Sequence, residues 1–257
     1  MILDYHMHLR DPDERVVHSF EALERFVEAA SARGVDEIGF SEHVYYFRQT
    51  RAVWTLEYQT ERCVYDLDAY VDVILDAKRQ GLPVKLGLEV DYVGRRQDEL
   101  AALLDPYPWD YLLGSVHWID GLAVDQRPGL WAHASVDEVW RLYFAALVEL
   151  ASSGHVDVLA HPDLAKIFRL RPDRIEYPAL DGVALEISTA GLRKPVGELY
   201  PASAMLAARP PITLASDAHV PTDVGRDLDR AVAHARAAGY ETVTVFEGRE
   251  ARQEPLG

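Results

Sequence analysis

The stretch Asp4-Tyr5-His6-Met7-His8 follows the apolar start Met1-Ile2-Leu3 and is typical of the end of a first β-strand. Because side chains alternate between the two faces of a strand, Asp4, His6 and His8 are expected to point the same way. Two imidazoles and a carboxylate that converge at a strand end are suited to a divalent metal. A lone His-x-His pair also occurs by chance, so the interpretation depends on the rest of the chain.

Apolar runs typical of strands alternate along the chain with segments typical of helices. The expected strands are residues 2–8, 37–43, 84–92, 111–118, 156–161, 183–189, 212–219 and 242–246. The expected helices are residues 20–33, 67–80, 97–104, 136–152, 202–208 and 228–238. A β-α alternation of this length predicts a parallel sheet closed into a barrel, with residues 1–257 forming a single domain.

Polar side chains concentrate at the carboxyl ends of the expected strands. In chain order these ends read SEH at 41–43, GLEVD at 87–91, GSVHW at 114–118, AHPD at 160–163, EIST at 186–189 and SDAH at 216–219. In a barrel of parallel strands all such ends meet at one mouth, where barrel enzymes build their sites. Six of the ten histidines lie at the expected strand ends. The other four are interpreted as surface or cap residues: His18, His133, His155 and His234.

The residue types at these ends favour a site with paired metals. Glu89 and Asp91 share one strand face, as do Asp217 and His219. A carboxylate between two cations can bridge them, and paired metals can generate hydroxide near neutral pH and clamp a transferring phosphoryl group. Each residue taken singly could instead be a buried hydrogen-bond or salt-bridge partner. The recurrence of the pattern on six strands favours the metal interpretation.

Composition limits the classes of partner. The chain has 257 residues, of which 49% are hydrophobic and 26% charged, as in ordinary globular proteins. No apolar run approaches the roughly 18 residues of a membrane span. The formal net charge of −16 argues against nucleic acid or an anionic membrane as partner, although bound cations would still admit an anionic substrate. Cys63 is the only cysteine, and no signal-type segment opens the chain, so a cytoplasmic location is expected.

The ordered motifs, with DYHMH at 4–8 and STAGLRKP at 188–195, resemble the PHP phosphoesterase family and within it the histidinol-phosphatase branch. The resemblance covers essentially the whole chain. It implies a distorted (β/α)7 TIM-like barrel with two or three divalent metal ions, Zn, Fe or Mn, at the C-terminal ends of its strands. It also implies a phosphatase of histidine biosynthesis, acting on a small phosphorylated substrate, L-histidinol phosphate. It does not indicate an oligomeric state.

Eight metal ligands follow from the resemblance. One metal would be held by His6, His8, Glu89 and Asp217, a second by Glu89, His117 and His161, and a third by His43 and His219. The family usually has a further histidine shortly after the first pair, where this chain reads LRDPDER at 9–15. The third site is therefore either weak or completed by Asp11, Asp13, Glu14 or His18.

Catalytic and substrate-binding residues are expected at the same mouth: Glu89, Asp217, Arg193 and His219 for catalysis, and Arg193, Lys166 and Ser115 for substrate. Arg193 is the preferred phosphate ligand because a guanidinium can hold two phosphate oxygens at once. Arg193 and Lys166 could each instead be a solvated surface charge.

The segment 44–63 is long for a connection between a strand and a helix. It carries five aromatic side chains, Tyr45, Tyr46, Phe47, Trp54 and Tyr58. These rings are expected to form either a lid over an imidazole-bearing substrate or a small satellite core.

Three other functions remain open at this point. The first is phosphoesterase activity on another small phosphate ester or a nucleotide. The second is an amidohydrolase-like cleavage of C–N bonds, although those enzymes normally place the metal-bridging group on strand four, whereas Glu89 lies on strand three. The third is a non-catalytic metal-binding scaffold. A site that had lost its activity should also have lost ligands, whereas eight candidate ligands are present here.

Overall fold

The computed structural model describes residues 1–9 and 18–257. The strands within these ranges are β1 Leu3–Asp4, β2 Glu37–Phe40, β3 Val84–Asp91, β4 Tyr111–Ser115, β5 Trp118–Ile119, β6 Leu122–Ala123, β7 Val158–Leu159, β8 Ala184–Ser188, β9 Ile212–Ala215, β10 Thr242–Glu247 and β11 Glu250–Pro255. The α-helices are α1 Phe20–Ala32, α2 Glu57–Thr60, α3 Leu67–Arg79, α4 Gln97–Leu104, α5 Val136–Ser152 and α6 Leu228–Ala237. No helix in the described part of the chain is long and apolar enough to cross a membrane.

Seven parallel strands of the described chain form one sheet in the order β1-β2-β3-β4-β7-β8-β9. The sheet closes on itself next to β1 and β9. There the Tyr5 amide donates to the Leu214 carbonyl at 3.0 Å, and the His8 amide donates to the Ala218 carbonyl at 2.8 Å. The helices α1, α3, α4, α5 and α6 lie between successive strands in the chain. The expected (β/α)7 barrel is therefore confirmed.

Strand β3 shows how side-chain alternation layers the barrel interior. Lys85, near its start, forms an ion pair with Glu247 of β10. Two residues on, Gly87 leaves room for the ring of Tyr111, since a Cβ at Gly87 would lie 2.4 Å from that ring. Glu89 follows on the same face at the mouth. From the amino end of β3 to its carboxyl end, the barrel interior thus contains a layer of charged residues, then the ring of Tyr111, then the polar residues of the mouth.

Several expected elements differ from those observed. The expected strands 2–8, 156–161 and 212–219 are shorter, because the chain leaves the sheet before it reaches the polar residues at their ends. The expected helix 202–208 is a 3-10 helix over Ser203–Ala208. Residues 242–246 pair antiparallel with β11 in a two-stranded hairpin, rather than joining the parallel sheet.

Candidate active site

Glu89 lies at the centre of the barrel mouth between two groups of histidines. Its Oε2 lies 2.5 Å from Nδ1 of His43 and 3.5 Å from Nε2 of His6. Its Oε1 lies 3.3 Å from Nε2 of His161 and 3.6 Å from Nε2 of His117. The side chain is 1% exposed. Each oxygen of one buried carboxylate therefore faces its own pair of imidazoles, the arrangement that a bridging ligand needs.

The eight expected ligands all lie in this cluster. Overlapping sets of potential ligand atoms within 4.8 Å of one another are His6–His8–Asp217, His6–Glu89–His161, His8–His43–His219 and His43–Asp91–His117. The third of these sets adds His8 to the two histidines expected at the third site. His18 is in none of these sets, and its ring packs against Phe47, Tyr65 and Tyr70. Asp11, Asp13 and Glu14 lie outside the described residues.

Buried carboxylates orient three of the histidines from outside the cluster. The Nδ1-to-oxygen distances are 2.7 Å for His6–Glu186, 3.1 Å for His8–Glu42 and 2.7 Å for His117–Asp91. Because an ionised carboxylate can only accept, each Nδ1 carries a proton, so Nε2 is the nitrogen of each ring that would coordinate a cation. This orienting role was not among the roles predicted from the sequence. Its signal was the placement of all three acids at strand ends.

The inward-facing atoms fit a divalent cation. Nε2 of His6 and Nε2 of His8 are buried and have no hydrogen-bond partner among the described residues. Each buried polar group left unpaired costs about 1–3 kcal/mol. A cation coordinated by these atoms would remove that cost. Imidazole nitrogen and carboxylate oxygen are ligands that zinc, iron and manganese accept.

The electrostatics of the cluster also match metal ligands. Burial raises the pKa of Glu89, but the adjacent His43, His6 and His117 together hold that pKa well below its usual range. The pKa of Asp217 is likewise held well below its usual range, against the effect of burial, by neighbouring histidines that include His6. Both acids are therefore ionised. Burial and the neighbouring His8 lower the pKa of His219 to about 3, which leaves its imidazole neutral and able to coordinate.

Two of the candidate ligands sit on strained backbone. His161 has φ of 31° and Asp217 has φ of 54°, in the left-handed region that most residues avoid. Such a conformation costs about 1–3 kcal/mol and persists where the surroundings over-determine it. At His161 the amide donates to Glu186 Oε1 at 3.1 Å, which helps to hold the turn. These turns end the strands early and direct both side chains into the mouth.

Asp4 does not join the cluster, contrary to our expectation. Its carboxylate accepts from the Ser216 amide at 2.8 Å, the Ser216 hydroxyl at 2.6 Å and the Gly225 amide at 2.7 Å. These three bonds satisfy a fully buried acid. Asp4 therefore fastens the turn that carries Asp217, instead of binding a metal itself.

The three expected substrate-binding residues are placed differently from one another. Lys166 is 1% exposed, with Nζ 2.8 Å from Asp163 Oδ2 and donating to the Leu199 carbonyl at 2.7 Å, so its geometry supports a structural role and not phosphate binding. Ser115 is buried behind His117, with Oγ 3.4 Å from its Nδ1. Arg193 donates from Nη2 to the Ser216 carbonyl at 2.6 Å, and its Nη1 is buried with no hydrogen-bond partner among the described residues.

A cavity of about 200 Å³ opens onto the cluster. Besides metal-ligand candidates, its lining includes Tyr45, Tyr46, Tyr58, Trp118, Asp125, Gln126, Lys194 and Tyr200. The aromatic residues of segment 44–63 were expected to form either a lid over the substrate or a small satellite core. The three tyrosines line this cavity, as a lid would, whereas Phe47 and Trp54 are buried and do not line it, as in a satellite core. A larger groove of about 740 Å³ meets the cavity at Trp118 and contains none of the eight ligand candidates.

Together the fold and the site define a (β/α) barrel whose mouth gathers histidine and carboxylate clusters suited to divalent metals. The chain belongs to the PHP domain family, which matches residues 4–190. This confirms the resemblance seen in the sequence.

Relatives and solved structures agree with this assignment. A probable histidinol-phosphatase of Deinococcus radiodurans is 32% identical over 243 residues, covering 88% of this chain and 91% of that one. A histidinol-phosphatase of Lactococcus lactis is 25% identical over 96% of this chain and 94% of its own. Among solved structures, the histidinol phosphate phosphatase of Lactococcus lactis, in complex with zinc, L-histidinol and phosphate, has a TM-score of 0.72 at 22% identity and covers 98% of both chains. The putative histidinol phosphatase of Listeria monocytogenes has a TM-score of 0.70 at 19% identity, over 89% of this chain and 99% of that one.

Proposed function

We propose that this protein is a metal-dependent histidinol phosphatase, which hydrolyses L-histidinol phosphate to histidinol and phosphate. The observation that carries the proposal is Glu89, a buried carboxylate with histidines at both oxygens in the mouth of a PHP barrel. The relatives named as histidinol-phosphatases, which match most of this chain, support the substrate. The zinc, L-histidinol and phosphate of the lactococcal structure support the ligands.

The ligand sets support two sites that share Glu89. His6, His8 and Asp217 would complete one of them, and His117 and His161 the other. A third site would use His43 and His219, with His8 adjacent. Divalent ions bound there would supply Lewis acidity toward the phosphoryl oxygens and an activated nucleophile near neutral pH.

The protein's own groups would bind and orient the substrate. The aromatic wall of Tyr45, Tyr58 and Trp118 is suited to one face of an imidazole ring, with Tyr45 and Trp118 ring centroids 5.3 Å apart. Arg193 and the exposed Lys194 would neutralise phosphate charge as it builds up in the transition state. His219, with 38% of its side chain exposed, is the most accessible of the eight proposed ligands.

We further propose that residues 1–257 act as one catalytic domain in the cytoplasm. The proposed ligands come from segments spread between β1 and the turn after β9, so the site draws on every strand of the seven-stranded sheet or the turn that follows it. The floor of the barrel is closed by ion pairs to the β10–β11 hairpin, such as Lys85–Glu247. Cys63 is a free buried thiol, as expected in a reducing compartment.

A phosphate-release panel tests the substrate. The metal-loaded protein is assayed with L-histidinol phosphate, a sugar phosphate, a nucleoside monophosphate and a phosphodiester. We expect L-histidinol phosphate to have the highest kcat/KM. A clear preference for the nucleotide or the sugar phosphate would retain the phosphoesterase class and overturn the substrate assignment. No phosphate release from any ester would overturn both.

Arg193→Ala is expected to raise KM and to lower kcat/KM for the phosphate ester by about 10- to 100-fold, since hydrogen bonds to charged groups contribute about 1.5–3 kcal/mol. The exposed Arg174, 85% accessible, provides the matched control as Arg174→Ala. Because Arg193 also holds the Ser216 carbonyl, melting temperatures of both variants are compared. Unchanged kinetics in a folded Arg193→Ala protein would remove Arg193 from the phosphate site.

A further inference from the structure

Asp125 is a carboxylate in the cavity that the metal cluster does not use. It lines the same space of about 200 Å³ as Glu89, His117 and Asp217, and it belongs to none of the potential ligand sets. Its Oδ1 is buried and has no hydrogen-bond partner among the described residues. A buried carboxyl oxygen without a hydrogen bond is costly unless a cationic or hydrogen-donating group meets it.

The backbone around Asp125 holds the residue in place. The amide of its neighbour Val124 donates to the carbonyl of His117 at 2.8 Å. The indole of Trp131 donates to the carbonyl of Val124 at 2.7 Å. Val124 itself is fully buried. The backbone next to Asp125 is thereby fixed relative to a proposed metal ligand, which contributes to the preorganisation that a recognition group requires.

We infer that Asp125 is a specificity-determining residue that binds the ammonium group of the substrate, an inference that rests on the proposed function. Histidinol phosphate carries its ammonium on the carbon next to the ester carbon, so the two groups enter the cavity together. The carboxylate attracts the ammonium and repels the phosphate, which directs the phosphate toward the metals and Lys194.

With Asp125, the cavity offers one group for each part of such a molecule. The metal cluster and Lys194 face the phosphate, the aromatic wall accepts the ring, and the carboxylate binds the ammonium. A phosphate ester that lacks the amine leaves the buried oxygen of Asp125 unpaired. Sites with buried polar groups discriminate strongly against analogues that cannot pair with them.

The test compares L-histidinol phosphate with its desamino analogue, in which hydrogen replaces the amino group. In the wild-type protein we expect kcat/KM to favour the amine-bearing ester by about 10- to 100-fold, as for a hydrogen bond between charged groups. Asp125→Asn is nearly isosteric and should bring that ratio close to one, mainly through KM for the amine-bearing ester. Asp125→Glu, which keeps the charge, should restore part of the ratio.

The matched control is Asp173→Asn, which makes the same charge change at an exposed residue outside the cavity and should keep the wild-type ratio. A wild-type ratio near one, or a wild-type ratio retained in Asp125→Asn, would overturn the role of Asp125 while the phosphatase assignment stands. If the wild-type protein hydrolyses neither ester, the proposed function and this inference fall together.

Discussion

Replacement of Glu89 by glutamine is expected to reduce kcat for phosphate release by about 10³-fold or more. The change preserves side-chain volume but removes the negative charge between His43 and His6 at one oxygen and His161 and His117 at the other. A metal's stabilisation of transition-state charge is worth several kcal/mol, and each 1.4 kcal/mol or so is tenfold in rate. The measurement is steady-state kcat together with metal content per chain.

The control for this variant is Glu24→Gln, the same substitution at an exposed residue of α1. It should retain wild-type rate and metal content. If Glu89→Gln binds two ions and turns over normally, then Glu89 only satisfies the surrounding imidazoles and the bridging assignment is wrong.

Chelation of the metals is expected to abolish phosphate release and to lower the melting temperature by about 5–10 °C. A ligand present at 100 times its Kd stabilises the folded state by about 2.7 kcal/mol. For a chain of this size, each kcal/mol of stability shifts the melting temperature by about 2–4 °C. The expected destabilisation follows because buried atoms such as His6 Nε2 and His8 Nε2 lose the cation that pairs with them. Calorimetry and rate measurements are made before and after readdition of zinc or manganese.

The ions should leave in two stages during a chelator titration. The site of His43 and His219 is expected to empty first, since the side chains of these residues are more exposed than those of His6 and His8. Release of all ions in a single step would contradict a weaker third site. Full activity in protein shown by elemental analysis to be metal-free would contradict metal dependence altogether.

The barrel and the clustering of the candidate ligands at its mouth could be predicted because both depend on local periodicity. His6 and His8, or Glu89 and Asp91, lie two positions apart, and side chains at that spacing share a face in extended backbone. The alternation of strands and helices then brings all the carboxyl ends to one mouth. Polar residues in otherwise apolar strand ends were accordingly a reliable signal.

What the sequence could not indicate depends on partners distant in the chain. Asp4 has the right spacing for a ligand, but Ser216 and Gly225 satisfy it. The outward pairing of His6 with Glu186 joins residues 180 positions apart. Lys166 is the exception, because its partner Asp163 lies three residues earlier and an ion pair at that spacing could have been weighed.

Anomalous diffraction from crystals grown with zinc or manganese tests the central claim most directly. We expect at least two metal peaks at the barrel mouth, one bonded to each carboxylate oxygen of Glu89, with His6 and Asp217 on one ion and His117 and His161 on the other. An empty mouth under these conditions, or a single ion that does not contact Glu89, would contradict it.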